Sequence, residues 1–155
     1  MDKILVVDDE QHIRDLYSLE LSSDGYDVET AASGYNLLKD IELSRPDVII
    51  PDIRLANHDG LDLLLEIRKR HADLPIILCS AYDSFRDDAR AIAADAYVVK
   101  SFDLSELKMK IQRSIEARIT TGRELLPAPL KAGGSQTEGT TSPIIGRGME
   151  CTGLL

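Results

Sequence analysis

The chain has 155 residues, 43% hydrophobic and 29% charged, which suits one domain-sized core with a short appendage. Its net charge of −9, from 18 basic and 27 acidic residues, argues against nucleic-acid backbones and anionic membranes as partners, and five Tyr and two Phe with no Trp give little base-stacking surface. Two cysteines, Cys79 and Cys151, cannot staple a disulfide scaffold, Met1-Asp2-Lys3 with four apolar residues is too short for a signal peptide, and no apolar run reaches the ~20 residues of a membrane span, so a cytoplasmic protein is expected.

Ile4-Leu-Val-Val7 is a short apolar run that ends in Asp8-Asp9-Glu10, and it predicts a strand buried on both faces. Ile13, Leu16, Tyr17, Leu19 and Leu21 follow at helical spacing until Asp24-Gly25. Tyr26 to Thr30 predicts a second strand, and Leu37, Leu38 and Ile41 a second helix that ends before Pro46. Val48-Ile49-Ile50 predicts a third buried strand, closing on Pro51-Asp52, and Leu61 to Ile67 a third helix that stops near His71. Pro75 to Cys79 predicts a fourth strand ending at Ser80, and Ser84 to Ala93 a polar amphipathic fourth helix. Ala96-Tyr-Val-Val99 predicts a fifth strand ending at Lys100, and Leu104, Leu107, Ile111 and Ile115 a fifth helix. Strands alternating with helices predict an α/β fold, a doubly wound parallel sheet covered on both sides.

The charge is unevenly placed. Residues 1–120 hold 15 Lys/Arg and 24 Asp/Glu, whereas residues 121–155 hold three of each, with seven of the ten glycines and three of the six prolines. The first segment is expected to be the folded domain. The second has no hydrophobic periodicity and is expected to be a disordered tail or a linker.

In sheets of this type ligands bind beyond the carboxyl ends of the strands. The residues standing there are Asp8 and Asp9 after the first strand, Asp52 after the third, Ser80 after the fourth and Lys100 after the fifth. Singly, four of them have an ordinary explanation, Asp8 or Asp9 as a helix cap, Ser80 as a turn residue and Lys100 as a solvated charge, whereas Asp52 closing an apolar strand is harder to dismiss because an unpaired buried carboxylate is costly. Five on one sheet edge are harder to explain that way. Three converging carboxylates repel unless a cation or a shared proton intervenes. A hard divalent cation such as Mg²⁺ takes oxygen ligands of this kind, and a lysine and a hydroxyl beside it suit a phosphoryl group.

These residues resemble the receiver domain of bacterial two-component response regulators. Val6-Val7-Asp8-Asp9-Glu10 is similar to the acidic opening of that family, Asp47 to Asp52 followed by Asp59-Gly60 to its phospho-acceptor strand and loop, Ser80-Ala81 to its switch hydroxyl, and Tyr97-Val-Val-Lys100 to its aromatic switch and lysine. The resemblance covers residues 2–119. It implies a flavodoxin-like (βα)5 fold with strand order 2-1-3-4-5. It implies that Asp52 accepts a phosphoryl group from a histidine kinase or histidine phosphotransferase. Mg²⁺ is implied as cofactor, bound by Asp9, Asp52 and the backbone carbonyl of Arg54, with Asp8 acting through a metal-bound water. The resemblance also implies that Lys100 would pair with the phosphoryl oxygens, that Ser80 would hydrogen-bond them, and that Tyr97 would rotate inward to report the change. The output implied is a signalling switch rather than an enzyme. It would act on a downstream protein, or a second copy of the chain, through the face of the fourth helix, fifth strand and fifth helix.

The sequence departs from the family at Pro51, where an ordinary apolar residue is usual, at Ala56-Asn57, at Ala93, and at Ser101, where a proline with a cis bond is usual. A cis bond before a non-proline residue costs ~2.5–4 kcal/mol, which favours trans at Lys100-Ser101. An aspartate-nucleophile phosphohydrolase would want a second aspartate where Arg54 stands. A flavin-binding module would want a hydroxyl- and glycine-rich loop where Asp8-Asp9-Glu10 stands. A receiver-like interaction domain that works without phosphorylation is the remaining alternative. Ser142-Pro-Ile-Ile-Gly146 faintly resembles the entry to the ATPase domain of enhancer-binding activators, a five-residue match.

Overall fold

The computed structural model describes residues 1–125. Strand β1 (Lys3–Val7) pairs in parallel with β2 (Asp27–Ala31) on one side and β3 (Val48–Pro51) on the other, with Ile4 between Val28 and Val48 and Val7 between Ala31 and Pro51. β1 and β3 are buried almost throughout, as parallel strands with both faces covered must be. After β3 a small antiparallel hairpin, β4 (Arg54–Leu55) and β5 (His58–Asp59), turns the chain into the third helix. Strand β6 (Ile77–Ser80) pairs in parallel with β7 (Ala96–Val99).

The β2-β1-β3 and β6-β7 groups meet only through single bridges, Ile49 to Ile76 and Asp52 to Cys79. Proline explains the gap. The Ile49 N–H donates to the Pro75 carbonyl at 3.0 Å and the Ile53 N–H to the Cys79 carbonyl at 3.3 Å, while the Asp52 N–H turns the other way, to Val7 at 2.8 Å. Backbone donors alternate sides along a strand, so position 51 faces β6, where Pro51 has no N–H to give.

Helices cover both faces. Leu37 and Ile41 of α2 (Leu37–Ser44) and Leu61, Leu64 and Ile67 of α3 (Gly60–Arg70) pack on Leu5, Val7, Ile49, Ile76 and Leu78. Tyr17 and Leu21 of α1 (Gln11–Ser23), with Leu107, Ile111 and Ile115 of α4 (Ser105–Leu125), pack on Ile4, Val6, Val48, Ile50, Ile77 and Val98. The chain leaves α1 through Gly25, whose φ of +97° suits glycine. α3 begins at Asp59, whose carboxylate accepts from the Leu61 N–H at 2.8 Å, and ends in Arg68, Lys69 and Arg70, which complement the helix dipole.

The fourth helix expected over 84–93 is not an α-helix. Two short 3-10 turns, Asp83–Asp87 and Ala89–Ala93, stand there, broken at Asp88, which is extended (φ −69°, ψ 131°). Side chains compete with the helix for its backbone. The Asp88 carboxylate accepts from the Arg90 N–H at 2.9 Å, and Arg90 reaches across to Asp62 at 2.7 Å and Asp59 at 3.3 Å on the start of α3. Arg68 holds the far end, donating to the Ala93 carbonyl at 2.8 Å. α4 continues through Thr120 to Leu125, and the remainder of the tail expected over 121–155, with Ser142 to Gly146, lies outside the described residues. Among the described residues no helix is long and apolar enough to cross a membrane.

Candidate functional site

The carboxyl ends of β1, β3, β6 and β7 bring Asp8, Asp52, Ser80 and Lys100 to one edge. Asp8, Asp52 and Ser80 are buried, at 2%, 4% and 0% exposure, whereas the rest of the buried core is apolar. A buried polar group must find partners, and two of these three find the same one. The Lys100 ammonium lies 2.7 Å from an Asp8 oxygen and 3.1 Å from an Asp52 oxygen, with Glu10 at 3.5 Å. Burial alone would lower the Lys100 pKa; the hydrogen bond to Asp8 and the charges of both carboxylates outweigh it, and the pKa lies above the ordinary lysine value. For Asp52 the balance tips the other way. Burial raises its pKa above the ordinary carboxylate value, although the Lys100 charge and the Arg54 N–H (3.2 Å to Oδ1) pull it down.

Asp9 is exposed, yet its carboxylate shares the site. Ligand oxygens of Asp8, Asp9 and Asp52 all lie within 4.8 Å of one another. Three carboxylate donors at this spacing fit a hard cation and no soft one. Asp8 is also held from below: its Oδ1 accepts from the Glu10 N–H at 2.9 Å, and its backbone carbonyl accepts from Arg14 Nη1 at 2.7 Å. The cap-like explanation for Asp8 therefore describes one oxygen, and the other faces Lys100. Beside the site the Cys79 thiol is pushed up to about 12 by burial, so it stays neutral; the Tyr17 hydroxyl lies 3.6 Å from it.

The loop after β3 is drawn tight by Gly60, whose N–H donates to the Ile53 carbonyl at 2.8 Å. A Cβ at position 60 would meet the Asp52 carbonyl oxygen and lie 2.6 Å from the Ile53 Cα, so glycine is what lets the hairpin close against the acceptor strand.

Ser80 Oγ accepts from the Tyr82 N–H at 3.1 Å, an arrangement that positions the hydroxyl beside the strand end. Tyr97 is already inward, 8% exposed, and its hydroxyl donates to the Tyr82 carbonyl at 2.5 Å. The Arg86 guanidinium covers its ring at 4.7 Å. Burial holds the Tyr97 phenol above its ordinary pKa. The Lys100 N–H donates to the Ser80 carbonyl at 2.7 Å, and among the described residues no peptide bond is cis, so Lys100-Ser101 is trans. The sequence reasoning did not single out Arg14, Glu10 as a third partner of Lys100, or Tyr82. Glu10 could have been found from the acidic run. Arg14 shows its value only once α1 folds back on Asp8, and Tyr82 only once its loop meets Arg54.

Comparison with known proteins settles the family. Residues 4–112 match the response regulator receiver domain. The chain belongs to that family. It is 34% identical over 118 residues to the regulatory protein AtoC of Escherichia coli K12, covering 75% of this chain and 26% of that protein, so it spans about a quarter of that relative's length. Among solved structures, the response regulator TrrA of Thermotoga maritima in complex with Mg(2+)-BeF is 45% identical, with a TM-score of 0.71 over 74% of this chain and 99% of that one. TrrA in complex with the histidine kinase ThkA is 44% identical, with a TM-score of 0.70 over the same shares. The receiver fold, α/β with a parallel sheet, is thus shared with proteins of known architecture.

Proposed function

We propose that this receiver takes a phosphoryl group onto a carboxylate oxygen of Asp52 from a phosphohistidine of a histidine kinase or phosphotransferase. The phosphorus–nitrogen bond breaks as the phosphorus–oxygen bond forms, and no substrate is turned over for its own sake, so the protein is a cytoplasmic switch rather than an enzyme. The observation that carries the reading is the pairing of buried Asp52 with Lys100 at 3.1 Å, beside Asp8 and Asp9. Mg²⁺, held by Asp8, Asp9, Asp52 and the Arg54 carbonyl, would supply the charge that neutralises phosphoryl oxygens. Lys100 leaves its carboxylates to pair with the phosphoryl group. The Arg54 N–H, already on Asp52 Oδ1, holds the acceptor in orientation. Ser80 exchanges its Tyr82 partner for a phosphoryl oxygen, and Tyr97, tied to the Tyr82 carbonyl, follows the loop. The face changed is that of residues 83–93, β7 and α4, which would engage a target protein or a second copy. The five parallel strands β2-β1-β3-β6-β7, order 2-1-3-4-5 counting only these, act as one sheet across the Pro51 gap. That TrrA is found with a histidine kinase and with Mg(2+)-BeF supports this reading by kinship.

A second reading, an interaction domain that works without phosphorylation, draws on Tyr97 being inward with its hydroxyl on the Tyr82 carbonyl. One experiment separates them. Autophosphorylated histidine kinases are incubated with wild type and Asp52→Asn, with Mg²⁺ or with a chelator. Transfer to the wild type alone, and only with Mg²⁺, is expected. No transfer from any kinase, or equal transfer to the variant, contradicts the proposal.

A further inference from the structure

Asp8 is gripped at every polar atom it has. Its backbone N–H donates to the Ala31 carbonyl at 3.0 Å, its carbonyl accepts from Arg14 Nη1 at 2.7 Å, its Oδ1 accepts from the Glu10 N–H at 2.9 Å, and its Oδ2 lies 2.7 Å from the Lys100 ammonium. The ties to Ala31 and Glu10 come from main chain that the strand and the start of α1 supply in any case. The tie to Arg14 does not. The positive end of a helix dipole favours acidic residues and disfavours a cation. The first turn of α1 holds no acidic residue, and Arg14 stands at the end of that turn, with its own N–H on the Glu10 carbonyl at 3.2 Å. The partner of its guanidinium is a main-chain carbonyl, although the chain carries 27 acidic residues. An arginine set against the dipole and spent on a carbonyl does little for the helix; what it fixes is Asp8.

We propose that Arg14 is a positioning residue for the cation site, holding the Asp8 main chain so that the carboxylate stays aimed at a metal ion once Lys100 lets go of it. The inference rests on the reading that Asp8, Asp9 and Asp52 hold Mg²⁺. Their ligand oxygens lie within 4.8 Å of one another, and the Lys100 ammonium occupies Oδ2 of both Asp8 and Asp52. A cation at that place competes with the ammonium for the same oxygens, and Asp8 then loses one of the two ties on its carboxylate. The Glu10 N–H remains on Oδ1, and Arg14 and Ala31 remain on the main chain. Mg²⁺ demands a near-ideal octahedron at about 2.0–2.1 Å, so slack in Asp8 weakens its binding. Arg14 is itself a cation, and as a charge alone it repels Mg²⁺. The two roles have opposite signs: removing a mere charge tightens the metal, whereas removing a positioning group loosens it.

The test titrates Mg²⁺, and separately Ca²⁺, into the metal-free full chain by isothermal titration calorimetry at one ionic strength, for wild type, Arg14→Ala, Arg14→Met and Arg14→Lys, with a thermal melt of each. Arg14→Ala and Arg14→Met are expected to bind Mg²⁺ about tenfold more weakly, the low end of what losing an outer partner of a metal ligand costs. Ca²⁺ accepts a more flexible shell and should lose less, so the ratio of Mg²⁺ to Ca²⁺ affinity falls. Arg14→Lys, which keeps a donor and the charge, should recover most of the Mg²⁺ affinity. Unchanged or tighter Mg²⁺ binding in Arg14→Met, equal losses for the two ions, or Arg14→Lys as weak as Arg14→Met overturns the proposal. A lower melting temperature with unchanged Mg²⁺ affinity gives Arg14 to the helix alone and overturns it too. If Arg14→Ala fails to fold, Arg14→Met, which keeps the side-chain stem, against Arg14→Lys decides. A wild type that binds no Mg²⁺ overturns the cation site instead, which keeps the two failures apart.

Discussion

Asp52 carries a charge at a place that burial opposes. Its carboxyl has a raised pKa in the folded chain, so the folded state holds the proton more readily than the unfolded one. Linkage then gives the sign: stability falls as pH rises from the ordinary aspartate value through the raised one, and at neutral pH the full cost is present. Metal-free Asp52→Asn is therefore expected to melt higher than wild type at neutral pH, with the advantage shrinking as the pH is lowered through the carboxylate range. Thermal melts of both proteins across that range check it, and a variant less stable than wild type at neutral pH contradicts it. Lys100 limits the effect without cancelling it, because it divides its charge between Asp8 at 2.7 Å and Asp52 at 3.1 Å. A fold that tolerates such a carboxylate retains it for chemistry, which is the usual meaning of a strained titratable group in a cleft.

At the scale of elements, Pro51 separates local pattern from pairing. Val48-Ile-Ile50 marks the strand, and the strand forms, but the missing N–H leaves β3 and β6 joined by bridges alone. Pro51→Val offsets two terms of similar size. A new hydrogen bond to β6 contributes ~0.5–1.5 kcal/mol, and loss of proline's restriction of the unfolded chain costs about 0.4–1 kcal/mol. Stability should thus change by less than ~1 kcal/mol, while the new amide at position 51 should be strongly protected from hydrogen exchange. A rapidly exchanging amide there would show that something other than proline keeps the strands apart. The fourth helix is the opposite case. Ser84 to Ala93 carries a helical pattern, and the local Asp88–Arg90 turn, with Arg90 tied to Asp59 and Asp62 and Ala93 tied to Arg68, decides against it. Asp59, Asp62 and Arg68 stand at or on α3, where no local reading could see them. The β4-β5 hairpin escaped notice for a similar reason, its two-residue arms being too short to show alternation.

Across the whole molecule, the sequence was most informative where topology does the work. Apolar runs that each end in a polar residue placed Asp8, Asp52, Ser80 and Lys100 on one sheet edge, and the folded chain brings Asp8 and Asp52 onto the Lys100 ammonium with Ser80 at the end of the neighbouring strand. Helices on both faces followed from the same alternation. Distances and states were not legible: Asp9 is exposed while Asp8 is buried, and Tyr97 lies inward, because both depend on how loops close over the strand ends. The account as a whole stands on Asp52 as the phospho-acceptor. The most direct measurement is mass spectrometry of the protein after incubation with acetyl phosphate and Mg²⁺, with peptide mapping of the modified residue. The account predicts one phosphoryl group per chain, located on Asp52, lost on adding a chelator before the donor and absent from Asp52→Asn. A phosphoryl group on another residue, or undiminished uptake by Asp52→Asn, would contradict it.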